Sequence, residues 1–185
     1  MSNLVKAWTK QHENILDDLQ ATGRYIVQKK YIINKMEEHS GVYLDAYEWY
    51  YREAGKLVPP PIDAKYPIWL TLTEEGRIEN SPGNVELELL VPKEKLITME
   101  LEKWGRVVNL MYIPANAQDA KEHESMLMRY GVDDSTAYMS AFYPNIKQKI
   151  IKSWRRLFDE GTSLGRDRLG TVWELRKDWI AGIIK

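Results

Sequence analysis

The stretch Val85-Glu86-Leu87-Glu88-Leu89-Leu90-Val91-Pro92 constrains the fold more than any other part of the chain. Val85, Leu87, Leu89 and Val91 alternate with Glu86 and Glu88, so the apolar set falls on one side of an extended strand and the carboxylates on the other. Pro92 closes the strand, because proline lacks the N–H that a ladder needs. Elsewhere the apolar spacing changes from two to between three and four. Leu101, Trp104, Val108 and Met111 mark a helix over Met99–Tyr112, and Ile146, Ile150, Ile151, Trp154, Leu157 and Phe158 mark another over Asn145–Phe158. A chain that mixes both periods predicts an α+β fold, a small mixed or mainly antiparallel sheet with packed helices.

The remaining segments fill in that outline. Leu4–Thr9 reads as a first strand, and Glu13–Gln20 as a helix with Ile15, Leu16 and Leu19 on one face, stopped by Gly23. Tyr25–Val27 reads as a second short strand. Tyr31–Tyr51 is helical in two pieces that break at Ser40-Gly41, with Tyr43, Tyr47 and Tyr50 or Tyr51 sharing a face. Pro59-Pro60-Pro61 ends this unit. Tyr66–Leu72, Lys95–Ile97 and Thr171–Leu175 read as strands, and Trp179–Ile184 as a short terminal helix weakened by Gly182. Residues 115–144 are the least legible, with helix-favouring residues around a Gly131–Asp134 turn, and are expected to form an excursion or lid from a single domain spanning residues 1–185.

At 185 residues, 44% apolar and 29% charged, the chain has the proportions of a globular domain. No run of about 18 apolar residues predicts a spanning helix. The opening residues lack the pattern of a secretory signal, which predicts a cytoplasmic protein. With no cysteine, disulfides, thiolate nucleophiles and cysteine-held zinc are excluded. Charge is unevenly spread: residues 1–144 carry sixteen basic and twenty-two acidic side chains, residues 145–185 ten basic and five acidic. The basic segment either faces a phosphate or acidic partner or pairs with the acidic body of its own fold. A pI near 6.3 speaks against a dedicated duplex-DNA binder.

Chemical motifs are scarce. His12, His39 and His123 stand in three separate segments, so no metal site is expected. Gly161–Arg168 looks like a phosphate loop but lacks the Gly-Lys-Ser/Thr ending of a P-loop. Gly161, Ser163 and Gly165 match Gly-x-Ser-x-Gly, yet no histidine follows them, as that hydrolase order requires. Glu86 and Glu88 share a strand face, which suits either a solvated surface or a carboxylate pair for acid–base work. Seven Trp and eleven Tyr stand against two Phe, a bias that fits a core, a groove or an interface.

In order along the chain, Trp8-Thr9-Lys10-Gln11, Tyr47-Glu48-Trp49, Tyr66-Pro67-Ile68-Trp69, Val85–Pro92, Trp104 with Val108-Asn109, Trp154 with Leu157-Phe158, and Thr171–Leu175 resemble the DUF3841 family of bacterial and phage proteins of unknown function. The order of strands and helices is also similar to small ADP-ribosyltransferase-type domains, which bind NAD in the cleft of a split sheet. That similarity implies NAD as cofactor, with Thr9 and Gln11 positioning it, Tyr47 or Trp69 stacking on nicotinamide, and Glu102 as the catalytic carboxylate stabilising positive charge on the ribose. The first strand, read as Leu4–Thr9, ends without the histidine or arginine frequent there in that fold. The expectation is therefore a nucleotide or small-molecule binding domain, with an NAD-using transferase as its sharpest form and no membrane contact. The alternative is a non-catalytic accessory module for nucleic acid or protein, in which aromatic side chains stack on bases and the Lys147–Arg156 helix contacts phosphates.

Overall fold

The computed structural model describes residues 3–27, 40–79 and 81–184, apart from the side chains of residues 40–43. The first helical piece read from Tyr31, together with His39 and the side chain of Tyr43, lies outside the described residues. The chain forms two compact units, Met1–Thr98 with Arg168–Lys185, and Met99–Asp167.

Unit one is built on the sheet that the alternating stretch announces. The strands are β1 (Leu4–His12), β2 (Arg24–Tyr25), β3 (Ile68–Thr71), β4 (Asn84–Pro92), β5 (Ile97–Glu100), β6 (Arg168–Val172), β7 (Leu175–Arg176) and β8 (Ile180–Ile184). Six of them form one sheet in the order β5-β6-β3-β1-β4-β8, and β2 pairs with β7 in a second, two-stranded sheet. β1 and β4 run antiparallel from Leu4 opposite Pro92 to His12 opposite Asn84. The pairs β1–β3, β3–β6 and β4–β8 are antiparallel too. This is the expected α+β architecture.

The register decides which side chains share a face. Ala7 lies opposite Leu89 and Thr9 opposite Leu87, with Val85 and Val91 on the same side. That face forms the core with Ile15 and Leu19 of helix α1 (Ile15–Thr22), Tyr25, Leu175 and Trp179. Gly23 ends α1 at φ +73°, a left-handed conformation that glycine adopts without strain. On the other face, helix α2 (Ser40–Ala54) brings Tyr50 against Trp69 and Trp173, and the Tyr50 hydroxyl meets Thr171 Oγ1 at 2.5 Å. Glu86 is buried on this outer side, not solvated, because Arg77 grips both its oxygens at 3.0 and 2.5 Å.

Three expectations change. β1 runs three residues beyond Thr9, so a histidine does end it, and its ring accepts the Asn14 N–H. Trp179–Ile184 is not a helix: after a short 3-10 turn at Lys177–Trp179, Ile180–Ile184 is a strand on β4. Three β-branched isoleucines favour the extended form, and Gly182 removes what helix propensity remains. The expected strand Thr171–Leu175 is split into the ends of β6 and β7, which lie in different sheets.

Unit two is helical: α3 (Leu101–Val108), α4 (Ala117–Tyr130), α5 (Asp134–Met139) and α6 (Pro144–Ser153), continued by a 3-10 turn at Trp154–Phe158. α3 is shorter than expected. Met99 and Glu100 belong to β5, and Leu110 at φ +58° stops helical continuation. The segment read as an excursion is two capped helices. Asn116 accepts the Asp119 N–H, Asp133 accepts the Thr136 N–H, and Gly131 at φ +64° ends α4. The core gathers Trp104, Val107, Ile113, Tyr138, Ile150, Trp154 and Leu157. Tyr138 stacks on Trp154, whose Nε1 donates to the Met111 carbonyl at 2.9 Å.

Candidate anion-binding site

Of the residues suggested by sequence as NAD contacts, Thr9, Gln11, Tyr47 and Trp69 belong to unit one and Glu102 to unit two. Thr9 and Gln11 stand on the core-facing side of β1, opposite Leu87 and Val85. The Thr9 hydroxyl donates to the Trp69 carbonyl at 2.8 Å and accepts Gln11 Nε2 at 2.9 Å. Trp69 lies opposite Thr171 in the ladder, so its indole projects from the other face, where its Nε1 donates to the Tyr47 hydroxyl at 3.1 Å. Tyr47 meets Trp69 edge to face with ring centres 6.3 Å apart. The two pairs are linked through the Trp69 backbone carbonyl and do not share a face of the sheet. Glu102 belongs to unit two, where it is exposed and lies 3.8 Å from Arg106.

The glycine-punctuated loop at 161–170 already holds an anion of its own. Glu100 Oε2 accepts the N–H groups of Leu164 and Gly165 at 2.8 and 3.1 Å. Burial alone would raise this carboxyl, but those two donors and the Lys103 ammonium hold it below the ordinary carboxylate range. Lys103 is itself buried, 3.6 Å from Glu100 and 2.6 Å from the Asp159 carbonyl. The donors that a phosphate would need are therefore occupied. Ser163 donates its hydroxyl to the Gly165 carbonyl.

A concave, charged surface lies elsewhere in unit two. A cavity of about 360 Å³ is lined by Tyr112, Asn145, Gln148, Lys149, Lys152 and Arg156. Apart from Tyr112, these come from α6 and the turn that continues it, at spacings of three and four that place them on one side. Ser153, also on that side, anchors the wall: its hydroxyl accepts the buried Ile113 N–H at 2.9 Å and donates to the Ile150 carbonyl.

Tyr112 forms a fixed floor. One side of its ring stacks on His123, with centres 4.0 Å apart and planes 17° from parallel. Lys149 and Arg156 lie 5.0 and 5.4 Å from the ring centre. His123 is anchored in turn by Asp134, whose Oδ1 is 2.6 Å from Nε2 and whose Oδ2 accepts the Tyr112 N–H. That contact places the hydrogen on Nε2, and the buried Nδ1 has no hydrogen-bond partner among the described residues.

The local charge is positive. Asp119, like Asp134, is a carboxylate beside this floor, and it is already engaged: it accepts the Tyr112 hydroxyl and the Ala115 N–H, with Arg156 at 3.4 Å. Burial pushes its carboxyl up, but these donors and the Arg156 and Lys149 charges outweigh burial and hold it below the usual range. Among the described residues Lys149 and Lys152 have no carboxylate within 4.0 Å. Three cations line the cavity while the two carboxylates beside Tyr112, Asp119 and Asp134, are both already hydrogen-bonded, which makes the cavity a receptor for anions.

The sequence marked the α6 cations but not their division. Lys147 turns to the Tyr138 ring, 4.4 Å away, whereas Lys149, Lys152 and Arg156 line the cavity. The i, i+3, i+7 spacing was the available signal. Nothing local marked Tyr112, which reaches the cavity only through the fold. Among the described residues no group of three or more histidine, aspartate or glutamate side chains is placed to hold a metal ion, and no helix is long and apolar enough to cross a membrane.

Compared with known proteins, residues 6–181 match the family model described as a domain of unknown function, DUF3841. No curated protein and no solved structure matches the chain. The likeness to ADP-ribosyltransferase-type domains thus has no support from these comparisons.

Proposed function

The chain belongs to the DUF3841 family, domains of unknown function, and from that premise we propose that it binds a nucleotide or another phosphate-bearing small molecule in the cationic cavity of unit two. The observation that carries this reading is the convergence of Lys149, Lys152 and Arg156 on one cavity whose neighbouring carboxylates, Asp119 and Asp134, are already hydrogen-bonded. Phosphate oxygens match these donors: the lysines offer mobile point charges, and Arg156 its N–H groups other than those on Nη1, which is taken by the Ile113 carbonyl and Asp119. NAD and ADP-ribose belong to this ligand class through their pyrophosphate.

A thermal-shift titration with ATP, ADP-ribose and NAD at low and high salt tests the proposal. A ligand that binds only the native state raises its stability by linkage. The shift is expected to saturate, to shrink as salt screens the cations, and to be reduced in Lys149→Ala and Lys152→Ala proteins of unchanged intrinsic stability. No shift with any phosphate compound sinks the proposal.

A protein-binding role is the second reading. It is favoured by four exposed apolar side chains of unit two: Met128, Tyr130, Met139 and Phe142, the last 88% exposed. Saturable nucleotide binding at α6 separates the two.

A further inference from the structure

We infer that the cavity reads a phosphate chain and not a base, so that its ligands are compounds with two or more linked phosphates, free or carried by any nucleoside. This rests on the proposed anion site and narrows it.

Three observations carry the inference. Lys149, Lys152 and Arg156 follow one stripe along α6 and its continuing turn: seven residues of helical rise set the backbone positions of the outer two about 10 Å apart along the axis, and their charged groups flank the Tyr112 ring at 5.0 and 5.4 Å from its centre. A linear anion satisfies such a row better than a single phosphate, which leaves one end of it unpaired. The charge balance agrees, since among the described residues Lys149 and Lys152 have no carboxylate within 4.0 Å, and two such ammonium groups call for a ligand with more than one negative charge.

The aromatic surface is closed. Tyr112 is 4% exposed, backed by His123 and flanked by Lys149 and Arg156, so no ring face is offered for a base to stack on. The lining contributes no aliphatic side chain, and about 360 Å³ is near the lower limit for small-ligand sites. Asn145 and Gln148 add amide donors at the same wall, and these suit phosphate oxygens. A nucleoside attached to the chain would project out of the cavity.

The test is isothermal titration of the full chain with orthophosphate, pyrophosphate, inorganic tripolyphosphate, ATP, GTP, CTP, adenosine and a single-stranded oligothymidylate, at one fixed ionic strength without divalent cations. Tripolyphosphate and the three nucleotides are expected within about threefold of one another, orthophosphate at least about tenfold weaker, and adenosine silent. Lys152→Ala, which removes the middle of the row, is expected to weaken tripolyphosphate by roughly tenfold and orthophosphate by less.

Orthophosphate as tight as tripolyphosphate, a preference above about tenfold among the bases, or competition by adenosine would each overturn this inference while leaving the anion site standing. Tighter binding of the oligonucleotide than of tripolyphosphate, at equal phosphate concentration, would overturn it in favour of a nucleic-acid surface. Silence from every phosphate compound would remove the underlying site as well.

Discussion

Replacing Glu100 by glutamine should be the most damaging isosteric change in unit two. Glu100 and Lys103 are 4% and 1% exposed, and their charged groups lie 3.6 Å apart. The glutamine keeps an oxygen for the Leu164 and Gly165 N–H groups but leaves the Lys103 ammonium buried without a counter-charge. Breaking one side of a buried pair costs about 3–5 kcal/mol, and the retained acceptor places this change near 3 kcal/mol. For a chain of this size about 2–4 °C of melting temperature accompanies each kcal/mol, so the expected fall is roughly 6–12 °C at neutral pH. Circular dichroism during thermal and urea unfolding reads it. Combining Glu100→Gln with Lys103→Met removes both charges and should recover more than half of the loss. A single variant within about 0.5 kcal/mol of the parent refutes the reasoning, as does a double variant less stable than the single one.

Acid should destabilise the fold by a related route. Burial raises and backbone donors lower the carboxyls of Glu100 and Asp119, with the lowering dominant, while the Thr136 N–H lowers Asp133. Stability from a depressed carboxyl is fully present above its unfolded value and disappears as pH falls through the folded one. Urea midpoints should hold from pH 7 to about 5 and then fall, more shallowly in Asp119→Asn. Gly170→Ala would place a Cβ 2.9 Å from the side chains of Leu72 and Leu96, and should cost about 1–3 kcal/mol by tryptophan-monitored unfolding. Ser153→Ala orphans the buried Ile113 N–H and should cost about 1–3 kcal/mol, with faster hydrogen exchange at that amide.

What the sequence disclosed follows from how local each signal is. The alternation at 85–91 identified the central strand because each residue's face depends only on its neighbour. The Gly23 stop and the Gly131–Asp134 turn were legible for the same reason. The terminal strand was misread because Trp179, Ile180, Ile183 and Ile184 also fit a helical spacing, and only pairing with β4 decides between the two. The length of α3 was overestimated because the Leu110 backbone, not the apolar pattern, ends the helix. The expected NAD contacts illustrate a harder limit. Thr9 and Trp69 are joined through the Trp69 carbonyl, yet strand pleating turns their side chains to opposite faces. A contact between residues 60 apart cannot reveal which face each side chain takes. The cationic wall was half legible: α6 showed its charge, but Tyr112 enters the cavity through tertiary packing alone.

The central claim, an anion receptor on the α6 side of unit two, is tested most directly by mapping backbone amide chemical shifts during titration with inorganic tripolyphosphate. The account predicts saturable shifts concentrated at Tyr112 and residues 145–156, with little change around Thr9, Tyr47 and Trp69. Shifts centred on those three residues, or none at saturating ligand, would contradict it.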